Sequence, residues 1–244
     1  MIKIDFKTLS IIIPVFNEES TIHQILDLVK QVKLVAGIKK ELILINDAST
    51  DNSEKAITEY QIKHPDLNIQ YYCQARNMGK GAALHKGIAL ATGEYLIIQD
   101  ADLEYDPNEY NLLLQPIIDG TADAVYGSRF SGKKPHRAIF SWHSKGNLWL
   151  TRLSNYFTGL KLTDMETCYK LCETKTVQSL DLKEKRFGFE PEITAKLSRV
   201  PNISITEVGI SYHGRSYSEG KKIGWQDGIR AIYCILKYNL WSKK

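Results

Sequence analysis

The chain has 244 residues, of which 43% are hydrophobic and 25% charged, a composition typical of a globular protein. These values exclude a disordered chain, a collagen-like repeat and a small disulfide-bonded scaffold. The net charge of +4 is unevenly distributed: residues 1–123 hold 11 basic and 18 acidic residues, whereas residues 124–163 hold seven basic residues and no acidic one. Such a basic segment indicates an anionic partner, which could be a phosphate, a nucleic acid or a membrane surface.

The first half of the chain alternates apolar strands with helices. Strands are predicted at Leu9–Val15, Glu41–Ile45, Asn68–Cys73, Tyr95–Gln99 and Asp123–Tyr126, and helices at Ile22–Val32, Ser53–Lys63, Gly81–Ala91 and from Pro107 onward. This alternation is typical of an α/β fold, which binds ligands at the carboxyl ends of its strands. No linker divides the chain. We therefore predict one domain, 1–244, with a nucleotide-binding half (1–123) and an acceptor-binding half (124–244).

The four cysteines are Cys73, Cys168, Cys172 and Cys234, and their spacing fits neither a CxxC redox motif nor a zinc site. Free and mostly buried thiols in a reducing cytoplasm are the prediction. The N-terminus lacks a signal-peptide cleavage site. No apolar run approaches the roughly 18–20 residues that a spanning helix needs.

Carboxylates follow the predicted strands. The first strand-to-helix turn lacks a GxGxxG sequence, and no Walker A sequence occurs, which disfavours hydride transfer and P-loop chemistry. Asp100 and Asp102 would point to the same side of an extended backbone. Paired oxygen ligands suit Mg²⁺ or Mn²⁺ shared with the phosphates of a nucleotide. The carboxylates in question are Glu18, Asp47, Asp51, Asp100 and Asp102.

Eight short motifs lie in order along almost the whole chain. They are Ser10–Glu18, Asn46–Asp51, Arg76–Gly81, Gln99–Leu103, Gly127–Arg129, Thr163–Lys170, Phe187–Glu192 and Glu219–Lys222. With these motifs the sequence closely resembles glycosyltransferase family 2, and within it the polyprenyl-phosphate (dolichyl-phosphate) sugar transferases. The resemblance implies a GT-A fold, a mixed sheet flanked by helices, and inverting transfer of a sugar from a nucleotide donor.

The resemblance also implies roles for individual residues. Asp102, Arg129 and Arg215 are the candidate catalytic residues. Asp100, Asp102 and Glu104 are the candidate ligands of Mn²⁺ or Mg²⁺; Glu104 stands where the mannosyl members commonly have Gln, so a third carboxylate joins the predicted site. The candidate nucleotide-binding residues are Pro14, Phe16, Glu18, Asp47, Lys80 and Asp100.

A lipid monophosphate, the acceptor in such enzymes, is largely dianionic at neutral pH and can attack without a general base. The site must instead hold two anions against their mutual repulsion, which cations achieve. The candidate acceptor-phosphate residues are Arg129, Arg137, Ser144 and Lys221. By the resemblance, Arg129, Ser144 and Arg215 occupy phosphate-binding positions of the family.

Two alternatives stay open. A hydroxyl acceptor would need a carboxylate base, for which Glu190 and Glu192 are candidates; otherwise they are structural residues at a helix start. The segment Gln226–Arg230 does not fit the QxxRW sequence of processive synthases, which favours the phosphate acceptor. A non-catalytic lipid-binding or nucleic-acid-binding module is disfavoured by the turn carboxylates, so we expect no nucleic-acid partner. GDP-mannose and UDP-glucose are both plausible donors.

Two amphipathic stretches combine aromatic and basic residues, as helices at an anionic bilayer surface do. One runs from Ile139 to Phe157 and includes Trp149 and Tyr156; the other runs from Trp225 to Leu240. The second could equally be a core face. Many relatives add C-terminal spanning helices, and we expect none in this chain. We therefore predict a cytoplasmic protein, peripheral on the cytosolic membrane face, bound there directly or through a membrane-anchoring partner.

Overall fold

The structure is a computed structural model. It describes residues 6–131, 142–214 and 225–241, without the side chains of residues 142–144 and 225.

Seven strands form one sheet in the order β3-β2-β1-β4-β6-β5-β7. Strand β6 runs antiparallel to β4 and β5, and every other pair is parallel. Both halves of the chain contribute strands to this sheet, so they share one core. The strands are β1 Thr8–Val15, β2 Lys39–Asn46, β3 Ile69–Cys73, β4 Tyr95–Ile98, β5 Ala124–Ser128, β6 Lys170–Glu173 and β7 Ile205–Gly209.

Eight α-helices in the described part of the chain flank the sheet. They are α1 Ile22–Gln31, α2 Ser53–Lys63, α3 Lys80–Leu90, α4 Tyr110–Ile118, α5 Trp142–Thr158, α6 Thr174–Ser179, α7 Phe189–Leu197 and α8 Trp225–Leu236. Short 3₁₀ turns occupy Val35–Gly37 and Pro107–Glu109, and a π-helical turn, Lys237–Trp241, follows α8. None of the helices described is long and apolar enough to cross a bilayer.

The core is centred on β1 and β2. Ile11, Ile12 and Ile13 are fully buried although successive side chains of a strand point to opposite faces. Both faces of this strand are therefore covered, as its continuous apolar run predicts. The five predicted strands agree with β1–β5 to within two residues at each end. Strands β6 and β7 are absent from the predictions.

All four cysteines are free, and three of them are buried while Cys73 is exposed. The prediction of free, mostly buried thiols is confirmed.

Candidate active site

A cavity of about 340 Å³ opens at the carboxyl ends of β1, β2 and β4. All eight residues predicted for the nucleotide and the metal line it. The sheet brings them together because parallel strands end at one edge. Their roles in binding stay predictions. The eight are Pro14, Phe16, Glu18, Asp47, Lys80, Asp100, Asp102 and Glu104.

Three loops at this edge each contain a residue with positive φ. Asn17 follows β1, Ala48 follows β2 and Leu103 follows β4, with φ values of 51°, 54° and 63°. Asparagine adopts this region readily, whereas Ala48 and Leu103 do so at a cost of about 1 kcal/mol or more each. The first two loops also bind each other: the Asn17 backbone N–H donates to Ser49 Oγ at 3.0 Å. Two of the three described residues other than glycine and asparagine that have a positive φ, Ala48 and Leu103, thus lie in loops at this edge; the third is Ala36.

Asp47 shapes the loop that leads into α3. Its Oδ1 accepts hydrogen bonds from Gln74 Nε2 (2.6 Å) and the Met78 backbone N–H (2.7 Å), and its Oδ2 accepts one from the Gly79 backbone N–H (2.7 Å). Gly79 has a φ of 97°, and a Cβ there would lie 2.5 Å from the Lys185 carbonyl oxygen. A glycine is therefore required where this loop contacts the segment that leads into α7.

The side chain of Gln99 stabilises the Asp100–Asp102 loop from the interior of the protein. The Gln99 Nε2 donates to the Asp100 carbonyl oxygen at 2.9 Å, while its Oε1 accepts from the hydroxyls of Tyr110 and Tyr169, both at 2.7 Å. The Asp102 Oδ1 in turn accepts from the Glu104 backbone N–H at 3.2 Å. The buried side chain of Gln99 therefore holds in place the backbone of the loop that carries the two aspartates.

Oppositely charged side chains alternate beneath the cavity. Lys80 Nζ lies 2.7 Å from Asp100 Oδ1 and 4.0 Å from Glu190 Oε1, and the other Glu190 oxygen lies 2.5 Å from Lys170 Nζ. Lys170 is fully buried. Burial acts to lower the pKa of Lys80, but the carboxylates of Asp100 and Glu190 hold that pKa well above its usual range. Lys80 is therefore a permanent cation on the cavity wall.

The predicted metal ligands are oxygen donors, which fits Mg²⁺ or Mn²⁺. They do not form a ready-made cluster: in the ranges described, no three His, Cys, Asp or Glu side chains are arranged to hold an ion. Asp100 is paired with Lys80, and Glu104 Oε2 accepts from the Tyr212 hydroxyl at 2.9 Å. One or two carboxylates completed by substrate phosphates are a usual Mg²⁺ site. Ligation by Asp100, Asp102 and Glu104 stays a prediction.

Arg129 is anchored beside the cavity by Asp164. Its Nε and Nη2 donate to the two oxygens of that carboxylate at 2.6 and 2.8 Å, and the Asp164 side chain is fully buried. Burial opposes the charged form of Arg129, but Asp164 raises the pKa of the guanidinium well above its usual range. The Arg129 Cζ lies 5.1 Å from the centre of the Tyr212 ring, and Tyr212 lines the cavity. A fixed cation therefore stands next to the Glu104 side of the site.

Glu190 and Glu192 are engaged elsewhere. Glu190 pairs with the buried Lys170, while Glu192 pairs with Lys196 at 2.6 Å and accepts from the Glu184 backbone N–H at 2.7 Å. Both lie in the first turn of α7. These ion pairs disfavour a role for either carboxylate as a general base.

Several residues of the site were not singled out by sequence reasoning. Asn77, Arg186 and Phe187 line the cavity; the first and last belong to motifs already noted, which is the signal that could have found them. Asp164, the partner of Arg129, likewise lies in a noted motif, Thr163–Lys170. Tyr212, two residues before the end of the second described range, carries no comparable signal. Arg137, Arg215 and Lys221, and the side chain of Ser144, lie outside the description, so their phosphate-binding roles stay predictions.

Glu166 is a further, partly buried acid in the segment that contains Asp164. It follows Asp164 and precedes Thr167, whose carbonyl oxygen accepts from Lys170 Nζ. Among the residues described, its Oε1 atom is buried without a hydrogen-bond partner. Burial and then the charge of Glu190 raise the pKa of Glu166 to about 8. Glu166 is therefore mostly protonated at neutral pH.

Replacing Glu166 by Gln should change how stability depends on pH. The folded protein keeps the Glu166 proton up to about pH 8, while the unfolded chain releases it near pH 4.5. Between these values the folded state binds more protons, so this residue lowers the free energy of unfolding as pH rises. The Glu166→Gln variant lacks this decrease in the free energy of unfolding, which amounts to up to about 1.4 kcal/mol per pH unit. Urea unfolding of both proteins at pH 5 and pH 8 measures this effect. If the difference in the free energy of unfolding between variant and wild type is the same at both pH values, the raised pKa of Glu166 is refuted.

The model of the family described as "Glycosyl transferase family 2" matches residues 10–177, more than half of the chain. The chain belongs to this family. Its members that are similar to the chain include a dodecaprenyl-phosphate galacturonate synthase of Rhizobium johnstonii (27% identical, covering 87% of this chain and 61% of that protein). A dolichyl-phosphate beta-glucosyltransferase of Dictyostelium discoideum is 28% identical over 86% of this chain and 67% of its own length. The chain thus spans about three-fifths to two-thirds of these relatives.

Among solved structures, the chain is similar to glucosyl-3-phosphoglycerate synthase from Mycobacterium tuberculosis, crystallised with Mn²⁺, UDP and phosphoglyceric acid. The TM-score is 0.72 at 20% identity, and the match covers 98% of this chain and 80% of that one. At this identity the similarity concerns the fold. The fold is GT-A, as the resemblance implied, in a single domain with a mixed sheet.

Proposed function

We propose that the chain transfers a hexose from a nucleotide sugar to a polyprenyl or dolichyl phosphate, with inversion and with Mn²⁺ or Mg²⁺. One observation carries the proposal: a cavity lined by Asp100 and Asp102 adjoins a fixed cation, Arg129. The names of similar family members, which include transferases to dodecaprenyl and dolichyl phosphate, support the choice of acceptor.

In this proposal the donor occupies the cavity. Pro14, Phe16 and Glu18 would contact the base and ribose, and Lys80 would face the diphosphate. Asp100 and Asp102 would hold the metal ion, which when bound neutralises charge on the departing diphosphate. The hydrogen bond from Gln99 to the Asp100 backbone would hold the loop of the two aspartates in place. The two aspartates would in turn orient the anomeric carbon towards Arg129.

The acceptor would bind on the Arg129 side. An oxygen of the acceptor phosphate forms a bond to the anomeric carbon as the bond from that carbon to the diphosphate oxygen breaks, and the nucleoside diphosphate leaves with the electron pair. The attacking oxygen carries no proton at neutral pH, so no base is needed. Arg129, with Arg137, Ser144, Arg215 and Lys221, would offset the repulsion between the two anions. The pairing of Glu190 and Glu192 with lysines agrees with a reaction that needs no carboxylate base.

A panel of donors tests this function. The purified chain is incubated with Mn²⁺ or Mg²⁺, a polyprenyl phosphate and, in separate reactions, GDP-mannose, UDP-glucose and UDP-galacturonate. We expect a glycolipid from one donor and none when the acceptor or the metal ion is omitted. Absence of any glycolipid from every donor would contradict the proposal.

We also propose that the surface formed by α5 and α8 contacts the cytosolic face of a membrane. Trp149 and Tyr156 on α5 are 53% and 82% exposed, and Ile229 and Tyr233 on α8 are 58% and 46% exposed. Exposed cations, Arg152 and Arg230, lie on the same helices. Leu150, predicted for this surface, is buried in the core instead, and Leu153, Phe157 and Ile232 are half-buried against it. The amphipathic stretches are thus divided between core and surface.

The double replacement Trp149→Ser and Tyr156→Ser should weaken binding to vesicles that contain anionic lipid by about tenfold, because two exposed aromatic side chains are lost. Cosedimentation with the vesicles measures it. Ile62→Ser, which removes a 76% exposed apolar residue from α2, is the matched control and should have no effect. Equal loss in both variants would contradict the proposed surface. A wild-type chain that stays in the supernatant would favour recruitment by a membrane-anchoring partner.

A further inference from the structure

Lys80 is an unexpected residue for its place in the fold. It is the first residue of α3, directly after Gly79, and it lines the cavity. The N-terminus of a helix carries a partial positive charge, which favours an acidic residue and disfavours a lysine. No acidic residue occurs in the first turn of α3. The stability of the helix therefore does not explain a cation at this position, so the explanation lies in the contacts of Lys80.

The Lys80 ammonium group spans both oxygens of Asp100. Its Nζ lies 2.7 Å from Oδ1 and 2.9 Å from Oδ2, and the two side chains are only 23% and 18% exposed. Asp100 is one of the two aspartates proposed to hold the metal ion. A divalent cation that approaches Asp100 meets an ammonium group at bonding distance, and the two positive charges repel each other in a partly desolvated site.

Glu190 provides a second carboxylate near the Lys80 ammonium group. Glu190 Oε1 lies 4.0 Å from the same Nζ, on an element, α7, separate from the Asp100 loop. The opposite oxygen of Glu190 is held by Lys170, which also donates to the Thr167 carbonyl oxygen and is thereby fixed. When a diphosphate enters the cavity, its oxygens and Glu190 can together take over the ammonium group. Lys80 can then leave Asp100 without losing an anionic partner.

We propose that Lys80 is a built-in counter-ion of Asp100 that keeps a free divalent ion off the loop until a nucleoside diphosphate group arrives. The diphosphate supplies negative charge for Lys80 and for the metal ion at once, so nucleotide and ion bind with positive coupling. Lys80 is then a positioning residue for the metal. This inference rests on the proposed function, because it takes the cavity to be the donor site.

The test measures Mn²⁺ binding by calorimetry, or by the loss of the free-ion paramagnetic resonance signal, without acceptor and without turnover. Wild type and Lys80→Met are each titrated with Mn²⁺ alone and with Mn²⁺ in the presence of saturating UDP or GDP. We expect Lys80→Met to bind Mn²⁺ alone about tenfold more tightly than wild type, and its gain in Mn²⁺ affinity from the nucleotide to fall by at least a similar factor. Lys86→Met is the control; it removes a lysine of the same helix, whose Nζ lies 4.2 Å from the Tyr72 ring centre, and should match wild type.

Lys80→Gln, which removes the charge and keeps a polar side chain, should behave as Lys80→Met and serves if that variant does not fold. Unchanged or weaker binding of Mn²⁺ alone in the folded variant would overturn the proposal, as would an unchanged gain from nucleotide. The result is separable from that of the transfer assay. If Lys80→Met loses the coupling but wild type makes no glycolipid, the proposed acceptor is refuted and the role of Lys80 stands. If wild type makes the glycolipid but Lys80→Met binds Mn²⁺ as wild type does, only the counter-ion role of Lys80 is refuted.

Discussion

Replacing Asp102 by Ala should abolish sugar transfer and leave the fold intact. Asp102 lines the cavity at the end of the loop that Gln99 supports, where a carboxylate would address the metal ion and the diphosphate. Loss of transition-state charge stabilisation at such a position costs at least about a hundredfold to a thousandfold in rate. Because the side chain is only partly buried, we expect the free energy of unfolding to change by about 1 kcal/mol or less. Initial rates and urea unfolding measure the two effects.

Asp106→Ala is the matched control for this variant. Asp106 lies four residues along the same loop, and its Oδ1 accepts from the Asn108 backbone N–H at 3.0 Å to cap the 3₁₀ turn. We expect the opposite pattern: a loss of stability of about 1 kcal/mol with the rate retained. Full activity in Asp102→Ala, or equal loss of activity in both variants, would show that the loop carboxylate has no special role.

Replacing Arg129 should affect both stability and transfer, and a second substitution separates the two effects. Arg129→Met leaves the fully buried Asp164 carboxylate without its bidentate partner, and breaking such a pair costs about 3–5 kcal/mol. In Arg129→Met/Asp164→Asn the buried charge is gone, while the amide oxygen can still accept from the residue 129 backbone N–H that now donates to Asp164. We expect the double variant to recover most of the lost stability.

Transfer should not recover with it. If Arg129 holds the acceptor phosphate, the double variant lacks that cation and should show a rise of about tenfold or more in the KM for the polyprenyl phosphate, with donor binding little changed. Asp164→Asn alone is the control, because it keeps the guanidinium. Near wild-type kinetics in a folded double variant would restrict Arg129 to a structural role.

The sequence predicts the first half of this protein well because two strong patterns coincide there. Long apolar runs identify β1 and β2, and carboxylates placed directly after strands must meet at one edge of a parallel sheet. Strand β6 has only the four residues Lys170–Glu173, begins with a charged residue and shows no alternation. It is a strand because β4 and β5 flank it, which is a tertiary cause that no local pattern reveals.

The partners of the charged residues could not be predicted in the same way. Lys80 and Asp100 are 20 residues apart in sequence, and Arg129 and Asp164 are 35 apart, so spacing carries no information about either pair. Tyr212 reaches Glu104 from a segment after β7, 108 residues away. These pairings set the electrostatics of the site. Sequence reasoning found the cations and carboxylates of the cavity but treated each as an independent ligand.

The most direct test of the account compares two acceptors that differ only in the phosphate. The purified chain, Mn²⁺ and the active nucleotide sugar are incubated with a polyprenyl phosphate or with the matching polyprenol, and glycolipid is quantified. The account predicts transfer to the phosphate and none above background to the alcohol, because the described site offers a fixed cation and its Glu190 and Glu192 carboxylates are held in ion pairs. Equal or greater transfer to the alcohol would contradict it.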